Sequence, residues 1–438
     1  MRTRTLFAAL AFAPSLALAQ LAPQERTIAQ AVDRRNAESL ALLERIVNIN
    51  SGTRNLAGVR AVGAALKAEF DALGFATRWV DGAAFSRAGH LIAEHSGPGP
   101  KILMIGHLDT VFEPSSPFQR FERLDDSTAK GPGIIDMKGG DVIIVAALKA
   151  LKDAGALAGM NITVVFDGDE EDAGLPHSVA RKALVDAAQG ASVALGFEDG
   201  AADPKTAVIA RRSATTWKLT TTGMAGHASQ IFRDDLGAGA LNEAARIVHE
   251  FYQKLAGEPL LAFSGGLALG GSGVTLDSSL GSGSANGKTN VIAQRMVVTG
   301  DMRTISPEQL ARTQAAMREI VARHLPRTDA TIEFLDGYPP MAPTDGNRKL
   351  LGFFDRASQD LGLGAVQAVD PARAGAADVA FIAPYVPMII DGIGLSGHDD
   401  HSDKETADLR MLPVQAKRTA VLLSRLTKMS ELKAPLRP

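Results

Sequence analysis

The stretch Ile102-Leu-Met-Ile-Gly-His-Leu-Asp-Thr110 decides how this chain is read, because an apolar run stops abruptly on His107 and Asp109 follows two residues later. A run of that length ending at glycine predicts a buried strand. Two more runs repeat the pattern: Ile162 to Phe166 empties into Asp167-Gly-Asp-Glu170-Glu171, and Val193 to Phe197 empties into Glu198-Asp199. Three buried strands are therefore expected to deliver ligand-type side chains at their carboxyl ends, the edge where open α/β sheets build their sites. The chain reads as a scaffold around a metal centre.

Working outward, residues 25 to 50 show helical spacing in Ile28, Val32, Leu40, Leu43 and Val47, and residues 56 to 73 do so again before Gly74. Strands are expected at Phe75 to Val80 and His90 to Glu94. Asp136 sits in Gly131-Pro-Gly-Ile-Ile-Asp136-Met-Lys-Gly-Gly140, just before a helix at Val142 to Leu151. This alternation, continued to residue 208, predicts an α/β fold with a mostly parallel sheet and helices on both faces. From residue 209 to 337 the texture changes. Thr215 to Thr221 reads as a strand, Leu236 to Leu255 as a helix, and Gly266 to Leu276 and Thr289 to Arg303 as strands. Ser306-Pro-Glu-Gln309 opens a helix to about His324 with a capping box and proline at its first position, and Thr331 to Leu335 closes the set. That order is the order of a ferredoxin-like α+β module. It is inserted, because strand and helix alternation resumes at residue 338 and ends on an apolar run leading to His401.

Composition narrows the function. A chain of 438 residues with 45% hydrophobic and 22% charged residues is globular and long enough for two domains. Residues 1–19 carry Arg2 and Arg4, an apolar run and Ala17-Leu18-Ala19, the pattern of a cleavable signal peptide, so a periplasmic or secreted protein is expected. Without them the net charge falls from −3 to −5, which is no footprint for nucleic acid. Cysteine is absent, so thiolate ligands and a lipoprotein anchor are excluded and a metal must take His, Asp or Glu. No later segment is apolar and long enough to span a bilayer, and no membrane partner is expected.

A two-metal centre with ions about 3.5–4 Å apart needs a bridging carboxylate, terminal His and carboxylate ligands, and an unliganded base. His107 is a terminal ligand candidate, and Asp109 is placed to orient its ring. Asp136, in its glycine-rich loop, is the natural bridge. Glu170 and Glu171 are adjacent, so an extended backbone points them apart, one to metal and one to substrate. The acidic run around them could instead be a solvated turn, the reading given to Asp169 and Asp172. His398 competes with His401, and Asp199 with Glu198. His90, His95, His177, His249 and His324 have no supporting motif and read as surface or packing residues.

The set Gly106-His-Leu-Asp109, Gly133-Ile-Ile-Asp136-Met-Lys-Gly-Gly140, Asp169-Glu-Glu171, Phe197-Glu198 and His401-Ser-Asp-Lys-Glu405 resembles the di-zinc peptidase family of glutamate carboxypeptidase, aminoacylase and succinyl-diaminopimelate desuccinylase. It lies nearest to the carboxypeptidase G branch. The resemblance implies a zinc exopeptidase-like catalytic domain over 20–208 and 338–438, and a lid and dimerisation domain over 209–337. It implies one zinc on His107, Asp136 and Glu198, and a second on Asp136, Glu171 and His401. Glu170 would be the general base, and His227 in Gly223-Met-Ala-Gly-His227 would reach the partner subunit's site in a homodimer. Asn290 and Arg303 match positions that grip the substrate carboxylate, and Gly375 a loop whose backbone touches substrate. Arg211-Arg212 depart from the small residues expected there. Cobalt or manganese suit such N/O ligands as well as zinc. The expected activity is amide hydrolysis, releasing a C-terminal amino acid, glutamate among the candidates, from peptides or N-acyl amino acids. An aminoacylase or dipeptidase shares the fold. A binding protein on an inactive copy is the remaining class, and it has no need of an unliganded base such as Glu170.

Overall fold

The computed structural model describes residues 21–199, 203–277 and 280–432. The signal peptide expected over residues 1–19 lies outside them. Two helices, α1 (Pro23–Val47) and α2 (Leu56–Leu73), lead into strands β1 (Ala76–Asp81), β2 (Gly89–His95) and β3 (Lys101–His107). Helix α3 (Gly139–Asp153), β4 (Asn161–Asp167) and β5 (Val193–Gly196) follow. After the inserted segment, β10 (Ile389–Ile390) and α6 (Met411–Leu426) complete this part, with the strands numbered β6 to β9 and helices α4 and α5 reserved for the insertion.

The main sheet has six strands in the order β1-β2-β4-β3-β5-β10. It is mixed: the expected parallel arrangement holds from β4 to β10 and gives way to antiparallel pairing at the β1–β2 edge. β3 pairs in parallel with β4 and β5, and β5 with β10, but β1–β2 and β2–β4 are antiparallel. The physical reason is local: the segment 82–88 is too short for a parallel crossover, which needs a dozen or more residues. Both faces are covered. Ile102 and Met104 of β3 enter the larger hydrophobic core with Leu43, Phe70, Leu148 and Leu422, whereas Leu103 and Ile105 enter a second core with Leu184 and Ile382. Alternate residues serve opposite faces, so the whole run must be apolar.

The insertion folds around a separate core. Its strands β6 (Thr215–Gly223), β7 (Ala262–Gly271), β8 (Arg295–Arg303) and β9 (Thr328–Phe334) form an antiparallel sheet of four strands in the order β7-β8-β6-β9. Helices α4 (Ala240–Leu255) and α5 (Pro307–Val321) bury Ile247, Phe251, Met317 and Ile320 against Trp217, Leu219 and Val298. Ser306 caps α5, accepting a hydrogen bond from the Gln309 N–H at 3.1 Å. Helix α4 starts at Ala240 and not at Leu236, because Gly237 and Gly239 adopt φ of 67° and 77°, outside the helical region. Two chain crossings join insertion and main sheet. Arg211 and Met341 exchange backbone hydrogen bonds of 2.9 Å, and Ala214 N–H donates to the Tyr338 carbonyl at 3.0 Å.

Candidate metal centre

β3, β4 and β5 are parallel neighbours, so their carboxyl ends bring His107, Glu170, Glu171 and Glu198 to one edge. His107 Nε2 lies 3.0 Å from Asp136 Oδ1 and 3.6 Å from Glu198 Oε1. His401 Nε2 lies 2.9 Å from Asp136 Oδ2 and 3.2 Å from Glu171 Oε2. Two metal-sized groups result, His107 with Asp136 and Glu198, and Asp136 with Glu171 and His401. Asp136 belongs to both, one oxygen facing each histidine. His398 and Asp199 line the same cavity but fall in neither group among the described residues. Glu170 also lines it and also stands outside both groups.

The donors fit a pair of divalent cations. They are all imidazole nitrogen or carboxylate oxygen, and the buried Oε1 of Glu171 has no hydrogen-bond partner within the protein. Burial, with the nearby Asp136 adding to it, pushes the Glu171 carboxyl up to about 8, and His401 and His107 oppose the rise. Glu170 is raised well above the ordinary range by burial, with Glu198 adding to it.

Other buried groups hold this cluster in place. Asp109 takes the Glu170 N–H on Oδ1 at 3.0 Å, and the Glu171 N–H at 3.1 Å and the Thr53 hydroxyl at 2.6 Å on Oδ2. His107 Nδ1 lies 3.1 Å from the Asp109 backbone carbonyl and 3.5 Å from its Oδ1, so Asp109 orients both a ligand and the acidic turn. That turn is not extended as expected; Asp109 folds it so that Glu170 and Glu171 both enter the cavity. Glu405 accepts from the N–H groups of Gly133 and Ile135, each at 2.9 Å, and of Asp136 at 3.3 Å. Gly133 turns this loop at φ 71°, and a side chain at Gly140 would meet the Phe197 carbonyl at 2.1 Å, so the start of α3 can lie against the end of β5. Asp391 accepts the Glu198 N–H at 3.4 Å and pairs with Arg211 at 2.7 Å. Sequence reading gave Glu405 and Asp391 no role; the signal for Glu405 was its place at the end of the His401-Ser-Asp-Lys-Glu405 motif.

Asp169 is a correction. It is fully buried and pairs with Arg181 at 2.7 Å, so it is no part of a solvated turn. His90 is likewise buried, 3.0 Å from Asp167. The cavity of about 450 Å³ is lined by Asp136, Glu170, Glu171, Glu198 and His401 together with Arg211, Arg373 and Gly375, whereas Asn290 and Arg303, expected to grip the substrate carboxylate, are not on its wall; nor is His227, which was expected at a partner subunit's cavity. Arg303 donates to Asp301 at 2.7 Å. His227 is exposed, with Nδ1 2.8 Å from the Ser229 hydroxyl, and the next N–H, of Ala228, donates to the Asn290 carbonyl. The cause is strand geometry. His227 and Asn290 adjoin the Arg295 end of β8, Arg303 is at the other end, and strand rise over that run separates the ends by roughly 26 Å. One chain cannot close all three on one small substrate.

Fold and cluster together define a metallopeptidase with two groups of residues able to hold metal ions. The chain belongs to peptidase family M20/M25/M40, whose description matches residues 103–425. It is 28% identical to carboxypeptidase G2 from Pseudomonas sp. (strain RS-16) over 423 residues, covering 94% of each chain. A probable succinyl-diaminopimelate desuccinylase from Staphylococcus aureus is 28% identical over 174 residues, 38% of this chain and 40% of the relative. Among solved structures, aminopeptidase PepT from Bacillus cereus superimposes with a TM-score of 0.71 at 18% identity, covering 90% of this chain and 99% of that one. A dinuclear metal-binding M20 peptidase from Bacillus subtilis gives 0.62 at 17% identity, with 90% and 99% covered. The family named from the five motifs is thus the family found.

Proposed function

We propose that this chain is an exported carboxypeptidase that binds two zinc ions and releases a C-terminal amino acid, glutamate foremost, from peptides or N-acyl amino acids. The observation that carries the reading is that Asp136 is shared by two ligand groups while Glu170 faces the same cavity and belongs to neither. Two bound divalent cations supply Lewis acidity toward the scissile carbonyl and make water a stronger acid. Glu170 takes the proton of the attacking water and returns it to the leaving nitrogen. Arg373 and the Asp391-paired Arg211 line the cavity, and this positive charge suits a substrate bearing a carboxylate.

In this reading residues 209–337 form a lid and dimerisation module. Support comes from an apolar groove lined by Leu241, Val248, Leu267 and Met296, where α4 and the edge strand β7 leave Leu241 54% exposed. His227 and Asn290, neighbours at the far end of the lid sheet, serve the partner's cavity, while Arg303, next to the crossing at Ser213, serves its own. A dipeptidase reading has one observation in its favour: Asp199, Asp399 and Asp400 line the cavity and suit a free amino group.

The test is metal content of protein purified without chelator, together with hydrolysis of matched N-acyl and N-terminally free glutamate, glutamine and alanine substrates. Two metals per chain with chelator-sensitive release of acyl-linked glutamate is the expected result. Turnover confined to substrates with a free amino group would replace the carboxypeptidase reading by the dipeptidase one. Glu170→Gln should keep the metals and lose about 10²- to 10⁴-fold in kcat.

A further inference from the structure

Behind the acidic turn lies a buried charge network that the reaction as described does not use. Its centre is Arg181, 1% exposed. Nη1 donates to Asp169 Oδ1 at 2.7 Å, Nε to Asp378 Oδ1 at 2.6 Å, and Nη2 to the Asp169 carbonyl at 3.0 Å and to the Tyr338 hydroxyl at 2.8 Å. The Tyr338 hydroxyl in turn donates to the backbone carbonyl of Glu170 at 2.8 Å.

Each partner belongs to a different part of the site. Asp169 immediately precedes Glu170, and Asp378 closes the Ala374-Gly-Ala-Ala loop that contributes Gly375 to the cavity wall. Tyr338 lies on the crossing that returns the chain from the insertion, where its own carbonyl accepts the Ala214 N–H of the outgoing crossing. Its ring packs edge-on against Phe381 at 4.9 Å and His177 at 5.6 Å, and the Arg181 guanidinium sits 5.7 Å from its centroid. Asp109 already fixes the Glu170 N–H from one side. The peptide group before the Glu170 side chain is pinned by Asp109 and Arg181, and the one after it by Asp109 and Tyr338. Of these anchors Tyr338 is the one attached to the insertion.

We propose that Tyr338, held by Arg181, is a positioning residue for Glu170 that ties the placement of the base to the crossing of the inserted module. It rests on reading Glu170 as the general base. The hydroxyl is well suited, since it accepts from a buried guanidinium that cannot lose its proton and so is committed to donating to the carbonyl. A base displaced by a fraction of an ångström loses rate without losing substrate affinity.

The experiment is a double-mutant cycle on the metal-loaded full chain. Tyr338→Phe keeps the ring and removes only the hydroxyl; kcat should fall about ten- to a hundredfold with KM within about twofold and the metal content unchanged. In the Glu170→Gln background the same substitution should change the residual kcat by less than about twofold, because the group it positions is no longer a base. Arg181→Lys, which keeps the charge and loses the fork, should lower kcat in the same direction. An equal loss in both backgrounds, a loss that tracks metal content, or an unchanged kcat for Tyr338→Phe would overturn the proposal. If Glu170→Gln alone costs nothing, it is the base assignment that fails, and the proposal falls with it.

Discussion

The cradle at the ends of β3, β4 and β5 and the inserted sheet are built on opposite terms. In the cradle, the exposed His401 apart, the functional side chains stand on segments held by buried partners: Asp109 serves three groups, Glu405 holds the Asp136 loop by three N–H groups, and Arg181 binds three segments. In the insertion, His227 and Asn290 are exposed and Arg303 pairs with a neighbour two residues away. Chemistry that must be accurate to a fraction of an ångström is carried by the first region, and on the reading proposed above the parts that meet a second subunit are carried by the second. Substitutions should therefore separate them by what they change: metal content in the cradle, assembly or substrate handling in the insertion.

The largest effect is expected at Asp136. Asp136→Ala removes the carboxylate shared by both ligand groups, so both metals should be lost together and kcat should fall at least about a thousandfold, several kcal/mol of lost charge stabilisation at about 1.4 kcal/mol per tenfold. Metal analysis checks it. Retention of one tightly bound ion would show that the two groups are independent and that Asp136 is not a bridge.

His227→Ala is next, and it breaks the comparison from the other side. The family resemblance implies that His227 donates to the oxyanion, and loss of such a donor should cost about 10²- to 10³-fold in kcat with the metal content untouched. The sharper version mixes this variant with Asp136→Ala chains. Mixed dimers then contain one cavity with intact ligands and an intact His227 from the partner chain, and activity should reappear on mixing. No recovery, with mixed dimers present by native mass measurement, would confine His227 to its own chain.

How far the sequence could be read follows the same division. His107, Glu171, Glu198 and His401 were legible because apolar runs announce where a strand ends and what stands at its edge, and Asp136 because it sits in a glycine-rich loop; the choice among adjacent acids and histidines came from the family resemblance. Asp169 was misread because a charge run is normally solvated, and nothing local shows that Arg181, twelve residues on, turns back beneath it. Glu405 and Asp391 act on backbone 272 and 193 residues away, a separation that no spacing pattern records. Arg303 and His227 are recognisable singly, but their distance depends on strand pairing, which the local sequence does not state. Glu405 offers a measured intermediate: Glu405→Gln should weaken metal binding about 10- to 100-fold, the usual effect of removing support behind a ligand. An unchanged affinity would mean that the glycine loop holds Asp136 unaided.

The smallest effect contrasts two ion pairs. Glu25 of α1 pairs with Arg425 of α6 at 2.8 Å, with both side chains largely buried, whereas Asp301 and Arg303 pair on the exposed lid sheet. Arg425 holds the Glu25 carboxyl below its ordinary 4.5, and burial opposes it. A carboxyl lowered in the folded state adds stability that is present above its unfolded value and is lost as pH falls through the folded one. Glu25→Gln should therefore cost up to about 1 kcal/mol at pH 7, and the difference from the parent should shrink as the pH falls below 4.5. Asp301→Asn should leave stability within about 0.5 kcal/mol. Denaturant unfolding of both variants at pH 7 and pH 4 checks this. A Glu25→Gln deficit that persists undiminished at the lower pH would assign it to lost packing of α1 on α6, not to the charge.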